Sequence, residues 1–229
     1  MNILINYAHN SYYGARKRNS STGMRFGFDK VIEYGRKDVD ALANQCPHIM
    51  NQPKGAGFWL WKPYIIYQTL LTMSSEDVLF YCDSGCDFIA PINPLIEACK
   101  NDANGLILFE GGHQNKKYTK RDCFTLMGCD TPEFTDILQL TASFQICRKT
   151  DFALAFYEEH IKYSSVEQIV TDIPNTTGED YPEYIAHRHD QSILTNLAVL
   201  HKVTLLQDPS QWGNHVGGAN VIHHHRERY

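Results

Sequence analysis

The chain has 229 residues, of which 43% are hydrophobic and 21% are charged, so its composition is that of a globular protein with a substantial core and not of a disordered one. Twenty-one basic against 26 acidic residues give a net charge of −5, which argues against nucleic-acid binding, because such proteins present a basic face. No apolar run approaches the ~20 residues that span a bilayer, so we expect no transmembrane segment. We expect one domain over residues 1–229.

Along the chain, segments with the apolar pattern of a strand alternate with segments that have the pattern of a helix. In order, the pattern predicts a strand at 2–7 and another at 28–34, helices at 39–46 and 61–73, a strand at 78–81, a helix at 93–99, a strand at 106–109, a weak helix at 119–127, a strand at 140–147, helices at 151–160 and 191–200, and a last core strand at 203–206. This alternation predicts an α/β fold with a mixed, mostly parallel sheet and helices on both faces.

Two long polar stretches, residues 8–27 and 173–183, carry no predicted element. Loops of that length in a compact domain are usually functional lids or disordered segments. At the starts of the two later helices, Asp151 and Asp190 are candidate N-caps, since a short carboxylate side chain can accept hydrogen bonds from free backbone N–H groups.

Seven cysteines are present, and none lies in a Cys-x-x-Cys pair. Most lie beside apolar positions, which is typical of buried thiols in a reducing compartment and not of a disulfide framework. We therefore expect a cytoplasmic location.

The segment Asp77-Val-Leu-Phe-Tyr-Cys-Asp-Ser-Gly-Cys-Asp87 is the most informative part of the chain. A short apolar strand ends at Asp83, and Gly85 permits a sharp turn directly after it. Open α/β sheets bind ligands at the carboxyl ends of their strands, and magnesium or manganese on a nucleotide needs only one or two protein carboxylates. Asp83 and Asp87 are therefore candidate metal ligands, with capping of the next element by Asp83 as the structural alternative.

A second segment, Lys54-Gly-Ala-Gly-Phe-Trp-Leu-Trp-Lys-Pro-Tyr64, combines glycines with a helix start. Free N–H groups and the positive dipole end at that start, together with Lys62, predict a binding site for a diphosphate. The alternative is that these aromatic residues only fill the core.

Polar residues near the C-terminus form two further candidate sites. In His187-Arg-His-Asp-Gln-Ser-Ile-Leu194, Asp190 either caps the helix or projects into a cleft as a base. In the tail, His215 or one residue of His223-His-His225 could complete a divalent metal site. If residues 221–225 are extended, His223 and His225 share one face and His224 lies on the other.

Together these segments resemble a group of small bacterial and viral glycosyltransferase-like proteins with the A-type glycosyltransferase (GT-A) fold. The shared core is Gly57-Phe-Trp-Leu-Trp-Lys-Pro63 followed by Tyr81-Cys-Asp-Ser-Gly-Cys86, within residues 54–87. Weaker matches lie at 142–145, 189–194 and 224–226. The resemblance implies transfer of a sugar from a nucleoside diphosphate donor, a UDP-sugar, to a glycan or other hydroxyl acceptor.

The resemblance also implies roles for individual residues. Asp190 and Gln191 match the pair that faces the donor sugar or the acceptor. The remaining implied residues bind the donor, and they are Tyr7, Ala8, His9, Lys62, Asp83, Ser84 and Gly85.

A manganese or magnesium ion is the implied cofactor, with Asp83 as the first acid of an Asp-x-Asp motif. The sequence departs from that motif, because Gly85 stands in place of the second acid. Asp87, His215 or His223 replaces the missing ligand, or metal binding is weak or absent. A non-catalytic sugar- or nucleotide-binding module on the same fold is the alternative function. A nucleotidyltransferase is disfavoured, because no glycine-rich basic loop follows the first strand.

Overall fold

The computed structural model describes residues 1–213 and 220–225. Eight strands are found there: β1 Asn2–Tyr7, β2 Lys30–Tyr34, β3 Val78–Cys82, β4 Cys86–Phe88, β5 Leu106–Gln114, β6 Leu138–Arg148, β7 Thr204–Leu206 and β8 Ile222–His224. Six of them form a sheet in the order β2-β1-β3-β6-β5-β7, and β4 pairs with β8 in a separate ribbon.

Helical segments connect the strands: α1 Tyr13–Arg25, α2 Asp40–Gln45, α3 Pro47–Met50, α4 Gly55–Phe58, α5 Trp61–Thr72, α6 Asn93–Asn101, α7 Asn115–Tyr118, α8 Arg121–Leu126, α9 Pro132–Thr135, α10 Asp151–Ser164, α11 Glu167–Val170 and α12 Asp190–Leu200. Short 3-10 turns lie at Asn10–Tyr12 and Arg36–Val39. No helix within the described ranges is both long enough and apolar enough to cross a lipid bilayer.

The sheet is mixed and mostly parallel, as predicted. β1 runs parallel to β2 and β3, and β5 runs parallel to β7. β6 runs antiparallel to both of its neighbours, β3 and β5. Because β1 and β3 are parallel, their carboxyl ends, at Tyr7 and Cys82, meet at one edge of the sheet. The antiparallel β6 reaches the same edge in its middle, where the N–H of Asp83 donates to the carbonyl of Ser143 at 2.7 Å.

Side chains alternate between two apolar layers, one on each face of the sheet. Ile3, Ile5 and Leu79 pack into the layer that contains residues of α5, α10 and α12. Leu4 and Phe80 pack into the opposite layer with residues of α6. The prediction of helices on both faces is therefore confirmed.

The polar stretch 8–27 differs from its prediction, because most of it is the helix α1. Its buried residues are Ala15, Asn19 and Gly23, which are small or polar and therefore give no apolar helical stripe in the sequence. A side chain at position 23 would collide with Leu4, since an added Cβ would lie 2.4 Å from a methyl carbon of that residue. The absence of a side chain there lets α1 pack directly against β1.

Three smaller predictions are also corrected. Thr150, and not Asp151, caps α10 by accepting a hydrogen bond from the N–H of Ala153. His189 occupies the N-cap of α12, so Asp190 lies in the first turn of that helix. β7 lies at an edge of the sheet and is largely exposed, so it is not a core strand. The second polar stretch agrees with its prediction, because residues 171–189 contain no helix or strand.

Candidate functional site

Three adjoining cavities open at the sheet edge where β1 and β3 end. The largest, about 710 Å³, is lined by the predicted donor-binding residues Tyr7, Ala8, His9, Asp83, Ser84 and Gly85. A smaller one of about 280 Å³ is lined by Lys62, Asp83, Asp190 and Gln191. The third, about 580 Å³, shares Gln191 with the second and extends toward Trp212. Ser143 lines all three cavities, so they form one continuous cleft.

An ion cluster lies where the first two cavities meet. The ammonium nitrogen of Lys62 is 3.0 Å from a carboxylate oxygen of Asp190 and 3.4 Å from one of Asp83. It also donates to the carbonyl of Ala142 at 3.1 Å. Of these three contacts, the one to Ala142 is a hydrogen bond, and the two carboxylates face the ammonium as ion-pair partners. Lys62 therefore holds two carboxylates together, and its contact with a diphosphate stays a prediction.

The electrostatics of this cluster follow from its burial. The side chains of Lys62 and Asp190 are only 3% and 5% exposed, whereas that of Asp83 is 35% exposed. Burial lowers the pKa of Lys62, but the carboxylates of Asp190 and Asp83 outweigh it and hold this pKa above its usual value. Burial raises the pKa of Asp190 to about 6, against the attraction of the Lys62 ammonium. Asp190 can therefore gain or lose a proton near neutral pH, which suits a general base.

Two buried neighbours bond the acidic residues of the ion cluster, one at a carboxylate and the other at the backbone. The hydroxyl of Tyr81 on β3 donates a hydrogen bond to the same Asp83 oxygen that faces Lys62. On α10, the buried His160 donates from Nε2 to the backbone carbonyl of Asp190 at 3.3 Å. Burial lowers the pKa of His160 to about 3, so its ring is neutral and adds no charge beside the ion cluster.

A left-handed turn forms one wall of the cleft. All five residues from Gly55 to Trp59 have positive φ angles, and Ala56, Phe58 and Trp59 adopt them at 53°, 51° and 60°. A left-handed helical conformation costs non-glycine residues roughly 1–2 kcal/mol each. Gly55 is required here, because a Cβ would lie 2.4 Å from the Trp59 ring. Strain of this kind persists only where the surroundings fix it, and it concentrates at functional sites.

The same turn takes up backbone N–H groups at the start of α5. The N–H of Leu60 donates to Gly57 and that of Lys62 donates to Trp59, both within the turn. Pro63, the next residue, has no N–H to offer. The N–H groups of Leu60 and Lys62 are therefore already bonded, and the expectation of a diphosphate site at this helix start stays a prediction.

Aromatic rings line the larger cavity. Tyr7 stacks on Trp61 with ring centroids 3.9 Å apart and an angle of 18° between the planes. Nearer the surface, His9 lies 6.4 Å from Tyr12 in a nearly parallel arrangement. Burial raises the pKa of Tyr7 to about 12, so its hydroxyl stays protonated. Flat rings at the end of a strand can stack on a nucleoside base.

Asp87, a predicted metal ligand, lies outside the residues that line the cleft. One of its carboxylate oxygens is 2.5 Å from the guanidinium of Arg18 on α1, and the other is 3.5 Å from Nε2 of His225. The side chain is 5% exposed. Asp87 therefore joins the β4–β8 ribbon to α1 and has no open side toward the cavities.

The tail histidines are divided by the pairing of β4 with β8. Asp87 lies opposite His223, which is exposed, and Cys86 lies opposite His224, which is buried and lines the largest cavity. Nδ1 of His224 is 3.3 Å from the sulfur of Cys86, and its ring stacks on Trp212 at 3.9 Å. His224, and not the predicted His223, thus faces the cleft. His215 lies outside the described residues.

Among residues 1–213 and 220–225, no three histidine, cysteine or acidic side chains are grouped so that they could hold a metal ion. Asp83 offers one oxygen, because Lys62 and Tyr81 occupy the other, and the ammonium beside it repels a cation. The described residues therefore do not fit a metal centre held by the protein itself.

The lining residues Trp59, Ser143 and Arg188 were not predicted from the sequence as functional. Trp59 belongs to the segment 54–64 that the sequence analysis singled out, so its position there was the available signal. Ser143 lines the cleft only because β6 runs antiparallel beside β3, which the sequence does not specify.

Comparisons with known proteins identify the fold. No protein-family model matches the sequence, and no curated protein matches it. Among solved structures, the apo form of mouse xyloside xylosyltransferase 1 matches at 12% identity with a TM-score of 0.55, covering 97% of this chain and 96% of that one. GlyE of Streptococcus pneumoniae TIGR4 matches at 12% identity and TM-score 0.51, covering 98% and 54%. The bifunctional glycosyltransferase WbbM matches at 11% identity and TM-score 0.51, covering 90% and 38%.

This chain thus spans about half the length of GlyE. At these identities the likeness concerns the fold, and it shows that the chain has the GT-A fold of glycosyltransferases. The fold predicted from the sequence is confirmed.

Proposed function

We propose that the protein is a glycosyltransferase that moves a sugar from a nucleoside diphosphate donor, a UDP-sugar, to a hydroxyl group of a glycan or similar acceptor. The observation that carries the proposal is the ion cluster of Lys62, Asp83 and Asp190. It lies where the largest cavity, which is large enough for a nucleotide, meets the smaller one. The third cavity, which shares Gln191 with the smaller one, is an open space that can admit an acceptor.

The larger cavity suits the nucleoside. Tyr7 and His9 offer ring faces for the base, and Ala8 lies between them. Ser84 and Gly85 follow Asp83 at the end of β3, where the small side chain and the missing one leave room for ribose or phosphate oxygens. We propose this cavity as the site of the UDP group, with the sugar directed toward Asp190.

Asp190 is the residue we assign to the transfer step. The bond between the sugar and the diphosphate breaks as a bond to the acceptor oxygen forms, and the acceptor hydroxyl loses its proton. An ionised Asp190 either accepts that proton or faces the positive charge that develops on the sugar. Its pKa of about 6 is compatible with proton transfer near neutral pH. Gln191, fixed by a 2.9 Å hydrogen bond to Gln139, lines both the smaller and the third cavity and can orient the acceptor.

The departing diphosphate gains negative charge, which positive groups in the cleft can stabilise. Lys54, Lys62 and Arg188 are the lysine and arginine residues that line the smaller cavity. Lys62 is shared between two carboxylates and Lys54 pairs with Asp172 at 2.7 Å, so each of these cations already has an acidic partner. We propose that Lys54, Lys62 and Arg188 meet the phosphates together. Because the described residues do not form a metal centre, we assign no step to manganese or magnesium.

The experiment has two arms on the same protein. A thermal-shift screen with nucleoside diphosphates and their sugars should give stabilisation by a uridine compound, about 2.7 kcal/mol at 100 times its dissociation constant. A transfer and hydrolysis assay should then release the matching nucleotide from the donor. Each measurement is made with and without manganese. If no nucleotide sugar is bound or cleaved under either condition, the proposal fails.

A non-catalytic binding module remains the second candidate, favoured by one observation. Gly85 replaces an acid, and among residues 1–213 and 220–225 Asp83 is the one carboxylate that lines the larger cavity. A module would bind the nucleotide in calorimetry and release no product over many hours, whereas an enzyme would turn the donor over.

The state of the cysteines is informative about the cellular compartment in which the protein acts. Cys46, Cys82, Cys86, Cys99, Cys123, Cys129 and Cys147 are all free thiols. Six of the seven are buried. Thiols that stay reduced are typical of the cytoplasm, which we propose as the place of action.

A further inference from the structure

The segment that delivers Asp190 to the cleft has no regular structure of its own. Residues 171–189 contain neither a helix nor a strand, and Asp190 is the first residue of α12 directly after them. A segment of this kind keeps one conformation only if other parts of the protein hold it. Here the short stretch 117–122, from the end of α7 to the start of α8, holds it along most of its length.

The central contact in this stretch is the buried carboxylate of Asp122. It accepts hydrogen bonds from the backbone N–H of Thr176 at 2.7 Å and that of Thr177 at 2.9 Å. Both threonine hydroxyls and the side-chain amide of Gln168 donate to it as well. Five donors on one fully buried carboxylate form a closed network, in which each bond to the charged group is stronger than a neutral one.

Neighbouring residues fix the two ends of the segment. Near its start, the ammonium of Lys120 donates to the carbonyl of Ile173 at 2.7 Å. Near its end, the N–H of Ile185 donates to Lys117 at 2.8 Å and that of Arg188 donates to Tyr118 at 3.0 Å. The ring of His187 accepts from the N–H of Lys120 at 3.3 Å.

Residues 171–189 end at a strained residue, His189, which directly precedes Asp190 of the ion cluster. His189 has φ 52° and ψ −116°, a conformation outside the regions that non-glycine residues favour. Such strain persists only where the surroundings fix it. The ring of His189 donates to the carbonyl of Val170 at 2.7 Å, so the segment closes on itself just before Asp190. A loosened segment would relax at His189 and move the Asp190 carboxylate away from Lys62.

We propose that Asp122 is a positioning residue for the transfer step: its buried carboxylate holds residues 171–189 so that Asp190 meets Lys62 and the reacting sugar. The inference rests on the proposed function. Asp122 does not line the cleft, so it acts through Asp190 and not by contact with substrate.

Asp122→Asn tests the proposal. The asparagine side chain has nearly the same shape as aspartate, but its NH2 group is a hydrogen-bond donor and would lie against the five donors that now bond the carboxylate. Asp77→Asn is the matched control. Asp77 is also a buried carboxylate in a turn, where it accepts from the N-terminal amine at 2.6 Å and from the N–H of Ser74 at 3.1 Å, but it lies at the other end of β3 from the cleft. Both variants are assayed at the same interval below their own melting temperatures.

For Asp122→Asn we expect kcat to fall roughly 100-fold, as a displacement of about 1 Å can produce, with donor KM within about twofold of wild type. Asp77→Asn should keep its kcat. The acid limb of the kcat profile should also move to higher pH in Asp122→Asn, because an Asp190 carboxylate withdrawn from Lys62 loses the attraction that lowers its pKa. A purely structural role would not move that limb.

Hydrogen exchange separates failure of this proposal from failure of the proposed function. In Asp122→Asn, backbone amides at 176–177 and 190–193 should exchange faster, while those of α5 and β3 stay protected. If wild type transfers no sugar, the proposed function fails, and the exchange data still test the attachment. An Asp122→Asn protein with wild-type kcat, or with unchanged exchange at 190–193, would overturn the proposal. Should it not fold, Thr177→Val removes the hydroxyl, one of the five donors, keeps the backbone N–H, and is expected to lower kcat about tenfold by the same route.

Discussion

Two carboxylates four residues apart in the sequence have opposite surroundings. Asp83 is about one third exposed, lines two cavities and shares the Lys62 ammonium with Asp190. Asp87 is almost fully buried and pairs with Arg18, whose side chain is 47% exposed. Asp83 reaches the cavities while the ammonium of Lys62 is buried, whereas Asp87 is buried and the guanidinium of Arg18 reaches solvent. Contact with the cleft separates the reactive acids from the structural one, because Asp83 and Asp190 line the cavities and Asp87 does not.

The largest expected effect tests this contrast directly. We expect Asp190→Asn to lower kcat at least 1,000-fold, the upper part of the ~10²–10⁴ range for loss of a proton-transfer group, and Asp83→Ala to abolish transfer while the fold remains. Asp87→Asn should keep most of its activity and lose stability instead. Steady-state kinetics and thermal melts on all three variants measure this.

The contrast would break if Asp87→Asn lost activity in parallel with a loss of manganese stimulation. Asp87 would then serve the metal role that the sequence suggested for it. Equal activity of Asp83→Ala and wild type would remove Asp83 from the site altogether.

The second effect concerns stability. Lys62→Met leaves two carboxylates without their shared cation, one of them buried, and should lower the free energy of unfolding by about 3–5 kcal/mol. Arg18→Met should cost about 1 kcal/mol, because a half-exposed partner contributes little. Denaturant titration gives both values.

A double variant provides the control for the lysine. Lys62→Met combined with Asp190→Asn removes a buried opposite pair and should recover a large part of the lost stability. If the double variant is no more stable than Lys62→Met alone, the cost comes from packing and not from an uncompensated charge.

The third effect is a dependence of stability on pH, which should arise on the Asp190 side of the molecule. Burial lowers the pKa of His160 to about 3 and of His189 to about 4, and it holds that of His187 well below its usual value of 6.5. These three histidines stay neutral in the folded state but become protonated in the unfolded state below pH 6.5. The folded state is therefore stable above pH 6.5 and loses free energy of unfolding as the pH falls. Each contributes ~1.4 kcal/mol per pH unit below that value.

Asp190 changes the stability in the opposite direction as the pH falls. Its pKa is raised to about 6, so the folded state binds a proton there more readily than the unfolded state does. Between pH 6 and 4 Asp190 offsets one of His160 and His189, which leaves a loss of roughly 1.4 kcal/mol per pH unit from this pair, and the lowered pKa of His187 adds to that loss. Thermal melts from pH 8 to 4 measure the slope, and His160→Gln should reduce it. A melting temperature that does not change over this range would contradict the assignment.

The parts of the fold that were predictable are those with a strong local pattern. β1 and β3 are continuous apolar runs, and α5 begins with an aromatic segment and Pro63 in its first turn, so their positions agree with the prediction to within one residue. Helix α1 was missed because its buried face consists of Ala15, Asn19 and Gly23. Their spacing of four residues was the available signal, and recognising it requires looking for small residues as well as apolar ones.

The candidate site divides in the same way. Motif residues such as Asp83 and Asp190 could be identified, because each follows or begins a recognisable element. The choice between His223 and His224 could not, since it depends on the register of β8 against β4, and a shift of one residue exchanges the two faces. The left-handed turn was equally hidden, because Ala56 and Phe58 rarely adopt positive φ and nothing local marks them.

Ser143 gives the cleft a property that can be used. Its backbone carbonyl holds the N–H of Asp83, while its small side chain lies where the three cavities join. A bulky substituent at this position would narrow the passage and leave the main-chain bond intact. Nucleotide loading could then be studied separately from acceptor entry, in a protein whose charged residues are all unchanged.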